Sequence, residues 1–270
     1  YTLVLNGPIA EGIFTLGISN ITDEVGNLMS SSHSVDYTMD LTPPLVSSVS
    51  PLAGSDIAKS IDSITVSFSE PVNATMAVDA SNYVLSGLGK GSLVVSSVVG
   101  SGSGPYNLTL NGTGVSGTLS LEVMNIKDLS GNPVMTSSTA WSIDATEPNV
   151  IATDPAELSV SNNLTPSISL SFNKNMNESN SGAGVKNIAN YVFSGAGANG
   201  VSVTSVSGSG AGSYTLSLSG PFSDGTVIMS VNNAQDTLGN QLSSFVLSFT
   251  IDSTAPIVAG SNPADGSFIS

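Results

Sequence analysis

The chain of 270 residues contains no cysteine and no arginine, and it has only one histidine and five lysines. The absence of cysteine excludes disulfides, metal sites built on thiolates and cysteine-dependent catalysis. Binding to a phosphate backbone depends on clusters of lysine and arginine, so nucleic acid is a very poor partner for this chain. The same shortage of basic residues excludes binding to an anionic membrane surface.

Charged residues of either sign are scarce, at 9% of the chain against about 25% in an average globular protein. Acidic residues outnumber basic ones by 20 to 5 and give a net charge of −15, which favours solubility and mutual repulsion. No apolar run reaches the length of a membrane span, so the sequence predicts no membrane insertion. Hydrophobic residues nevertheless make up 40% of the chain, which is enough for packed cores.

Two motifs recur three times each along the chain. The first, Asn-x-x-Asp-x-x-Gly-Asn, spans residues 20–27, 125–132 and 233–240. The second, Asp-x-Thr-x-Pro, spans residues 40–44, 144–148 and 252–256. Copies of the second motif lie 104 and 108 residues apart, which is the length of one small domain. The four-residue difference between these two spacings places an insertion in the second complete repeat, near residues 177–184.

The second motif marks the boundaries between units. We expect the C-terminal part of one repeat at 1–44, complete repeats at 45–148 and 149–256, and the start of a further repeat at 257–270. Residues 1–44 would supply only the last three strands of a domain. Soluble proteins avoid exposed apolar faces and unpaired edges, so we expect the missing strands to come from the same polypeptide or from a neighbouring chain in a filament.

Apolar and polar residues alternate with period two through each repeat, which predicts half-buried strands. In the first complete repeat, Tyr106 and Leu108 fall on one face of a strand, and Leu119, Leu121 and Val123 fall on one face of the next. About seven such runs lie between the turns of this repeat, and no helix is predicted. The sequence therefore predicts an all-β protein of tandem immunoglobulin-like antiparallel β-sandwiches with about seven strands each, with a single curled barrel as the alternative.

The repeated aspartates are the candidate site residues. Each copy of the first motif carries one aspartate, and so does each copy of the second: Asp23, Asp128 and Asp236, and Asp40, Asp144 and Asp252. In one interpretation the aspartate of the first motif caps its turn by accepting backbone hydrogen bonds, while the motif glycine takes a positive φ. In the other, the two aspartates bind calcium, which prefers carboxylate oxygens. Glu70 aligns with Lys174, so other acids are not repeated, and backbone carbonyls would have to complete the calcium shell.

No arrangement of residues in the sequence indicates a catalytic site. The single histidine, His33, has no cysteine or second histidine as a partner and is interpreted as a solvated loop residue. No Gly-x-Ser-x-Gly elbow joins a strand to a helix, and the glycine-rich residues 100–104 lead into a strand, which indicates a hairpin loop. The sequence predicts a protein that is not an enzyme and has no cofactor, calcium being the one candidate.

Three segments of the chain resemble a known family. Residues 42–46 (Thr-Pro-Pro-Leu-Val), 68–72 (Phe-Ser-Glu-Pro-Val) and 127–133 (Lys-Asp-Leu-Ser-Gly-Asn-Pro) are similar to the bacterial Ig-like domains of surface-layer proteins and giant adhesins. The resemblance covers essentially the whole chain, although residues 173–176 of the second repeat depart from it. It implies an extracellular or cell-surface location and a structural role, and it brings no catalytic residues.

The expected function is mechanical. We expect a structural repeat region of a large extracellular prokaryotic protein, which forms a stalk, fibre or surface coat and associates with neighbouring copies of itself. The alternative is an adhesin module that binds a glycan or a protein through loops at one end of a sandwich. Binding sites usually carry exposed aromatic residues, whereas most aromatic residues here fall on strand positions or recur between repeats, which favours the structural role.

Overall fold

A computed structural model describes residues 2–262 and 264–266 of the chain. The chain divides into two compact units, Tyr1–Asp144 and Ala145–Ser270. Each unit contains its own hydrophobic core. Within the described residues, no helix has the length and apolar character needed to cross a membrane.

The first unit consists of a two-stranded sheet followed by a two-sheet sandwich. Its strands are β1 (Gly12–Ile18), β2 (His33–Met39), β3 (Val46–Ser50), β4 (Asp56–Ala58), β5 (Ser63–Phe68), β6 (Tyr83–Ser86), β7 (Val94–Val99), β8 (Tyr106–Asn111), β9 (Gly117–Val123) and β10 (Ser137–Asp144). One-turn helices lie between them, namely α1 (Ala74–Ala77) and two 3-10 turns at Ala80–Asn82 and Leu88–Lys90. The sandwich sheets have the strand orders β3-β5-β8-β7 and β4-β10-β9-β6.

The second unit contains a sandwich with the same topology. Its strands are β11 (Val150–Asp154), β12 (Val160–Ser161), β13 (Ile168–Phe172), β14 (Tyr191–Ser194), β15 (Val203–Ser207), β16 (Tyr214–Leu218), β17 (Gly225–Val231) and β18 (Phe245–Ile251), with 3-10 turns at Ile188–Asn190 and Ala196–Ala198. The sheets have the orders β11-β13-β16-β15 and β12-β18-β17-β14. The short strands β4 and β12 pair in parallel with the last strand of their sandwich, and the other strand pairs are antiparallel. The predicted all-β architecture of tandem Ig-like sandwiches is confirmed.

The core of each sandwich lies between its two sheets, where the period-two pattern places it. Tyr106 and Leu108 are fully buried, and Leu119, Leu121 and Val123 are at most 2% exposed. The second repeat buries the corresponding positions, including Tyr214, Val227, Met229 and Val231. The inward register predicted from the sequence is therefore confirmed in both complete repeats.

In the first complete repeat, the structure adds to the prediction one strand, β4, and three short helical turns, α1 and the two 3-10 turns. Strand β4 has three residues, which is too short for a period-two pattern to reveal it. Helix α1 begins after Asn73, whose side-chain oxygen accepts a hydrogen bond from the N–H of Met76 at 3.2 Å. The corresponding segment of the second repeat, residues 177–187, is a loop that contains the predicted insertion and is closed by a bond from Val185 N–H to the Asn177 carbonyl at 2.7 Å.

The segments outside the two sandwiches differ from the expectation. Of the three strands expected in residues 1–44, the structure forms β1 and β2, whereas residues 2–5 form no strand and Tyr1 lies outside the described residues. Their counterpart in the first complete repeat, β8, pairs with β5 and β7, and residues 1–44 contain no counterpart of these partners. Leu3 is accordingly 63% exposed. Residues 257–262 and 264–266 form no strand, and the rest of 257–270 lies outside the described residues.

Candidate functional site

The turn formed by the first motif is the polar structure that recurs most faithfully. Asp128 Oδ1 accepts hydrogen bonds from the N–H groups of Ser130 at 2.8 Å, Gly131 at 2.6 Å and Asn132 at 2.8 Å. Gly131 takes a φ of 99°, which is accessible to glycine at little cost. The other two aspartates of the motif accept backbone bonds in the same way: Asp23 and Asp236. The turn-capping interpretation is confirmed for all three.

Hydrogen bonding keeps Asp128 ionised although it is almost completely buried. Its side chain is 3% exposed, and this desolvation opposes ionisation. Bonds from the side chain and backbone of Asn132, and from the N–H groups of Gly131 and Ser130, outweigh the desolvation and hold the pKa of Asp128 below its ordinary value. The turn thus presents a negative charge to its surroundings.

The second motif is fastened to this turn by Asp40. The Asp40 carbonyl oxygen accepts a hydrogen bond from Asn132 Nδ2 at 3.0 Å, and Asp40 Oδ2 accepts one from Ser130 Oγ at 3.2 Å. Asp40 Oδ1 accepts a third bond from the N–H of Thr42 at 3.0 Å. These bonds hold the Asp40 carboxylate against the Asp128 turn.

A third carboxylate completes an acidic cluster at this place. Glu70, two residues beyond β5, brings one carboxylate oxygen to within 4.8 Å of oxygens of Asp40 and Asp128. Partial burial raises the pKa of Glu70, and the negative charges of Asp40, Asp128 and Glu11 raise it further. No lysine within the described residues contacts the three carboxylates. The cluster therefore concentrates negative charge without a cationic side chain.

The second repeat places a lysine where the first has Glu70. Lys174 Nζ lies 3.2 Å from Asp236 Oδ2 and donates a hydrogen bond of 2.6 Å to the Thr146 carbonyl oxygen. Asp236 is the counterpart of Asp128 and is equally buried, at 3% exposure. The same turn aspartate thus faces an acidic side chain in one repeat and an ammonium group in the next.

The six aspartates predicted as calcium candidates fall into two groups. Asp40 and Asp128 lie together, and Glu70, which sequence analysis set aside because it is not repeated, joins them. The other four belong to no cluster of three acidic side chains within the described residues: Asp23, Asp144, Asp236 and Asp252. Calcium binding stays a prediction. His33, expected in a loop, is instead the exposed first residue of β2.

Aromatic side chains of the complete repeats contribute to the two hydrophobic cores. Within residues 45–256, every tyrosine, phenylalanine and tryptophan is buried or half-buried. Phe68 packs edge-to-face on Tyr106 with ring centroids 5.6 Å apart, and Phe172 packs in the same way on Tyr214 at 5.8 Å. These rings belong to the cores.

Comparison with known proteins identifies similar domains. The family model described as the bacterial Ig-like domain matches the chain twice, at residues 40–143 and 144–251. No curated protein matches.

Solved structures that match parts of the chain come from bacteria and from an animal. The N-terminal part of the bacterial S-layer protein SbsC is 18% identical, with a TM-score of 0.31 over 77% of this chain and 44% of that one. The Escherichia coli adhesin FdeC is 16% identical, with a TM-score of 0.35 over 83% of this chain and 72% of that one. Drosophila N-cadherin EC1-4 is 12% identical, with a TM-score of 0.25 over 92% of this chain and 60% of that one. The chain thus spans less than half of the SbsC segment.

Proposed function

The chain belongs to the family of bacterial Ig-like domains, and on this basis we propose that it is the structural repeat region of a large extracellular protein that forms a stalk, fibre or surface coat. Its partners in this role are neighbouring copies of the same protein. The proposal places the chain outside the cell or on its surface and gives it no catalytic activity.

The observation that supports the proposal is the duplication of a complete sandwich. The two sandwiches have the same strand orders, and each buries its own set of apolar residues. The recurring features are core positions and turn-capping aspartates, which stabilise a domain. The acidic cluster, by contrast, differs between the repeats at Glu70 and Lys174. Repeating a domain that has its own core lengthens the protein without changing its modules. A stalk, fibre or coat requires such length and mechanical continuity.

The adhesin alternative has less support. An interface of useful affinity generally centres on exposed aromatic or arginine side chains. The chain has no arginine, and its aromatic residues between 45 and 256 are buried or half-buried. A loop-based binding site would therefore have to depend on small polar side chains.

Antibody labelling and electron microscopy test the proposal together. Antibodies raised against the 270-residue chain should label intact, unpermeabilised cells, and the purified native protein should form elongated strings, fibres or a regular coat. Label that requires permeabilisation would contradict the extracellular location. Compact isolated particles would contradict the mechanical role. Strings without regular subunit contacts would support a stalk and exclude a fibre or coat.

A further inference from the structure

Among the described residues, no lysine contacts the acidic cluster of the first repeat. Asp40, Glu70 and Asp128 bring carboxylate oxygens within 4.8 Å of one another, and the carboxylate of Glu11 also acts on Glu70. Like charges at this separation repel one another strongly where water is partly excluded. A cation placed among the three carboxylates would relieve this repulsion.

The second repeat shows where a cation is held in this fold. Lys174 stands at the sequence position of Glu70, and its ammonium group contacts Asp236 Oδ2 and the Thr146 carbonyl oxygen. Asp236 and Thr146 are the counterparts of Asp128 and Thr42, at the repeat offsets of 108 and 104 residues. This observation is independent of the acidic cluster, because it concerns the other copy of the domain and a bound positive charge.

Asp236 Oδ2, which contacts the ammonium group of Lys174, corresponds to Asp128 Oδ2 in the first repeat. Asp236 Oδ2 accepts hydrogen bonds from both Asn240 Nδ2 and Lys174 Nζ. Asp128 Oδ2 accepts the matching bond from Asn132 Nδ2 at 2.8 Å, and no lysine takes the second position. Among the described residues, Asp128 Oδ2 therefore has one side-chain donor where Asp236 Oδ2 has two.

We propose that Asp40, Glu70 and Asp128 bind one calcium ion, and that Lys174 takes the place of this ion in the second repeat. Calcium accepts six to eight oxygen ligands in flexible geometry, from carboxylates, backbone carbonyls and water. The cluster offers three carboxylates, and the Thr42 carbonyl corresponds to the one that binds Lys174. An all-oxygen set without histidine or cysteine suits calcium better than zinc or copper. The inference does not depend on the proposed function, because it concerns the isolated chain.

Two variants at one position separate specific binding from general attraction to an acidic protein. Glu70→Gln keeps the size of the side chain and removes one ligand charge. Glu70→Lys installs the residue that the second repeat carries at this position, Lys174. Because the second repeat folds with this lysine, the variant of the first repeat should also fold. Glu122→Gln is the matched control, because Glu122 lies on β9 of the same repeat and is not among the charges that act on Glu70.

Calorimetric titration of the chelator-treated 270-residue chain with calcium chloride, at physiological salt, tests the inference. The parent and Glu122→Gln should bind one ion per chain, Glu70→Gln should bind at least about tenfold more weakly, and Glu70→Lys should not bind. Calcium should also raise the midpoint of thermal unfolding in the parent but not in Glu70→Lys. The fluorescence of Trp141, the only tryptophan, reports this midpoint. Absence of binding heat in a folded parent, or equal affinity in Glu70→Gln, would overturn the proposal.

Discussion

A single aspartate has two functions in each of the repeated turns. One oxygen of its carboxylate satisfies the backbone N–H groups of the turn, as Asp128 does for Ser130, Gly131 and Asn132. The other oxygen bonds the side-chain amide of the motif's last asparagine. Buried backbone donors are costly when they lack a partner, so the first function alone explains why each turn carries this residue type.

Replacing Asp128 with alanine should destabilise the first repeat by about 1–3 kcal/mol, because three backbone N–H groups lose their acceptor. The measurement is the urea midpoint of the first repeat, followed by Trp141 fluorescence. Asp62→Ala is the control: its exposed carboxylate accepts a bond from the neighbouring Ser63 Oγ, so it should change stability by less than about 0.5 kcal/mol. Equal midpoints for the two variants would contradict the capping role.

The pH dependence of this effect follows from the direction of the Asp128 pKa shift. The pKa of Asp128 in the folded protein lies below the ordinary value of 3.8. Its contribution is therefore fully present above pH 3.8 and is lost as pH falls through the folded-state pKa. Measured in a Glu70→Gln background, which removes the neighbouring group whose pKa Asp128 raises, the stability difference caused by Asp128→Ala should shrink in that acidic range and stay constant from pH 5 to 7.

Sequence information predicts the capping bonds and pairs Asp40 with Asp128, but it does not predict that Glu70 joins them. The turn bonds join Asp128 to residues two to four positions away, so a local pattern is enough to predict them. Glu70 reaches Asp128 only because β5 ends beside the turn, and Asp40 is brought there by its bonds to Ser130 and Asn132. Contacts over this sequence distance depend on tertiary packing, which has no local signature.

At the scale of elements, the 3-10 turn after β6 packs against the backbone of β9. Gly87 takes a φ of 90°, and a Cβ at this position would overlap the carbonyl oxygen of Thr118. The second repeat repeats both features, because Gly195 has a φ of 93° and equally close contact with the Thr226 carbonyl. The glycine is required here by both conformation and space.

Gly87→Ala should therefore lower the free energy of unfolding more than Gly131→Ala does. Both glycines have a positive φ, but a Cβ at Gly131 meets no atom within 4 Å. Gly131→Ala should cost about 1–2 kcal/mol from backbone strain, while Gly87→Ala must in addition displace β9 from the turn and should cost clearly more. Urea denaturation monitored at Trp141 compares the two. A cost for Gly87→Ala no larger than that for Gly131→Ala would show that the turn separates from β9 freely.

The elements that the sequence predicts are those long enough to show a period. Strands β8 and β9 have six and seven residues with alternating burial, and both are clear in the sequence. Strand β4 has three residues and pairs in parallel at the sheet edge, and residues 2–5 alternate but form no strand. Periodicity indicates which face of a segment is apolar, whereas pairing depends on partners elsewhere in the chain.

At the scale of the whole molecule, the two repeats have separate cores that share no residue. The first contains Trp141, Tyr106 and Phe68, and the second contains Phe172 and Tyr214, among others. Domains that have their own hydrophobic core can in principle fold alone. Damage to one core should therefore leave the folding of the other core nearly unchanged.

The single tryptophan makes this separation measurable. Trp141 is 1% exposed, and its Nε1 donates a hydrogen bond of 3.0 Å to the Pro51 carbonyl oxygen, so its fluorescence reports on the first repeat alone. Phe68→Ala and Phe172→Ala each remove a buried ring at the same position of the two repeats and should each cost about 3–5 kcal/mol. Far-UV circular dichroism, which follows both repeats, should show a destabilised transition in either variant.

Trp141 fluorescence should distinguish the two variants, because each affects a different core. Phe68→Ala should lower the urea midpoint that Trp141 reports, whereas Phe172→Ala should leave it within error of the parent. A matching fall of the Trp141 midpoint in Phe172→Ala would mean that the two repeats unfold as one cooperative unit. Stability would then depend on both domains at once, and the inference of separately stable repeats from separate cores would be wrong.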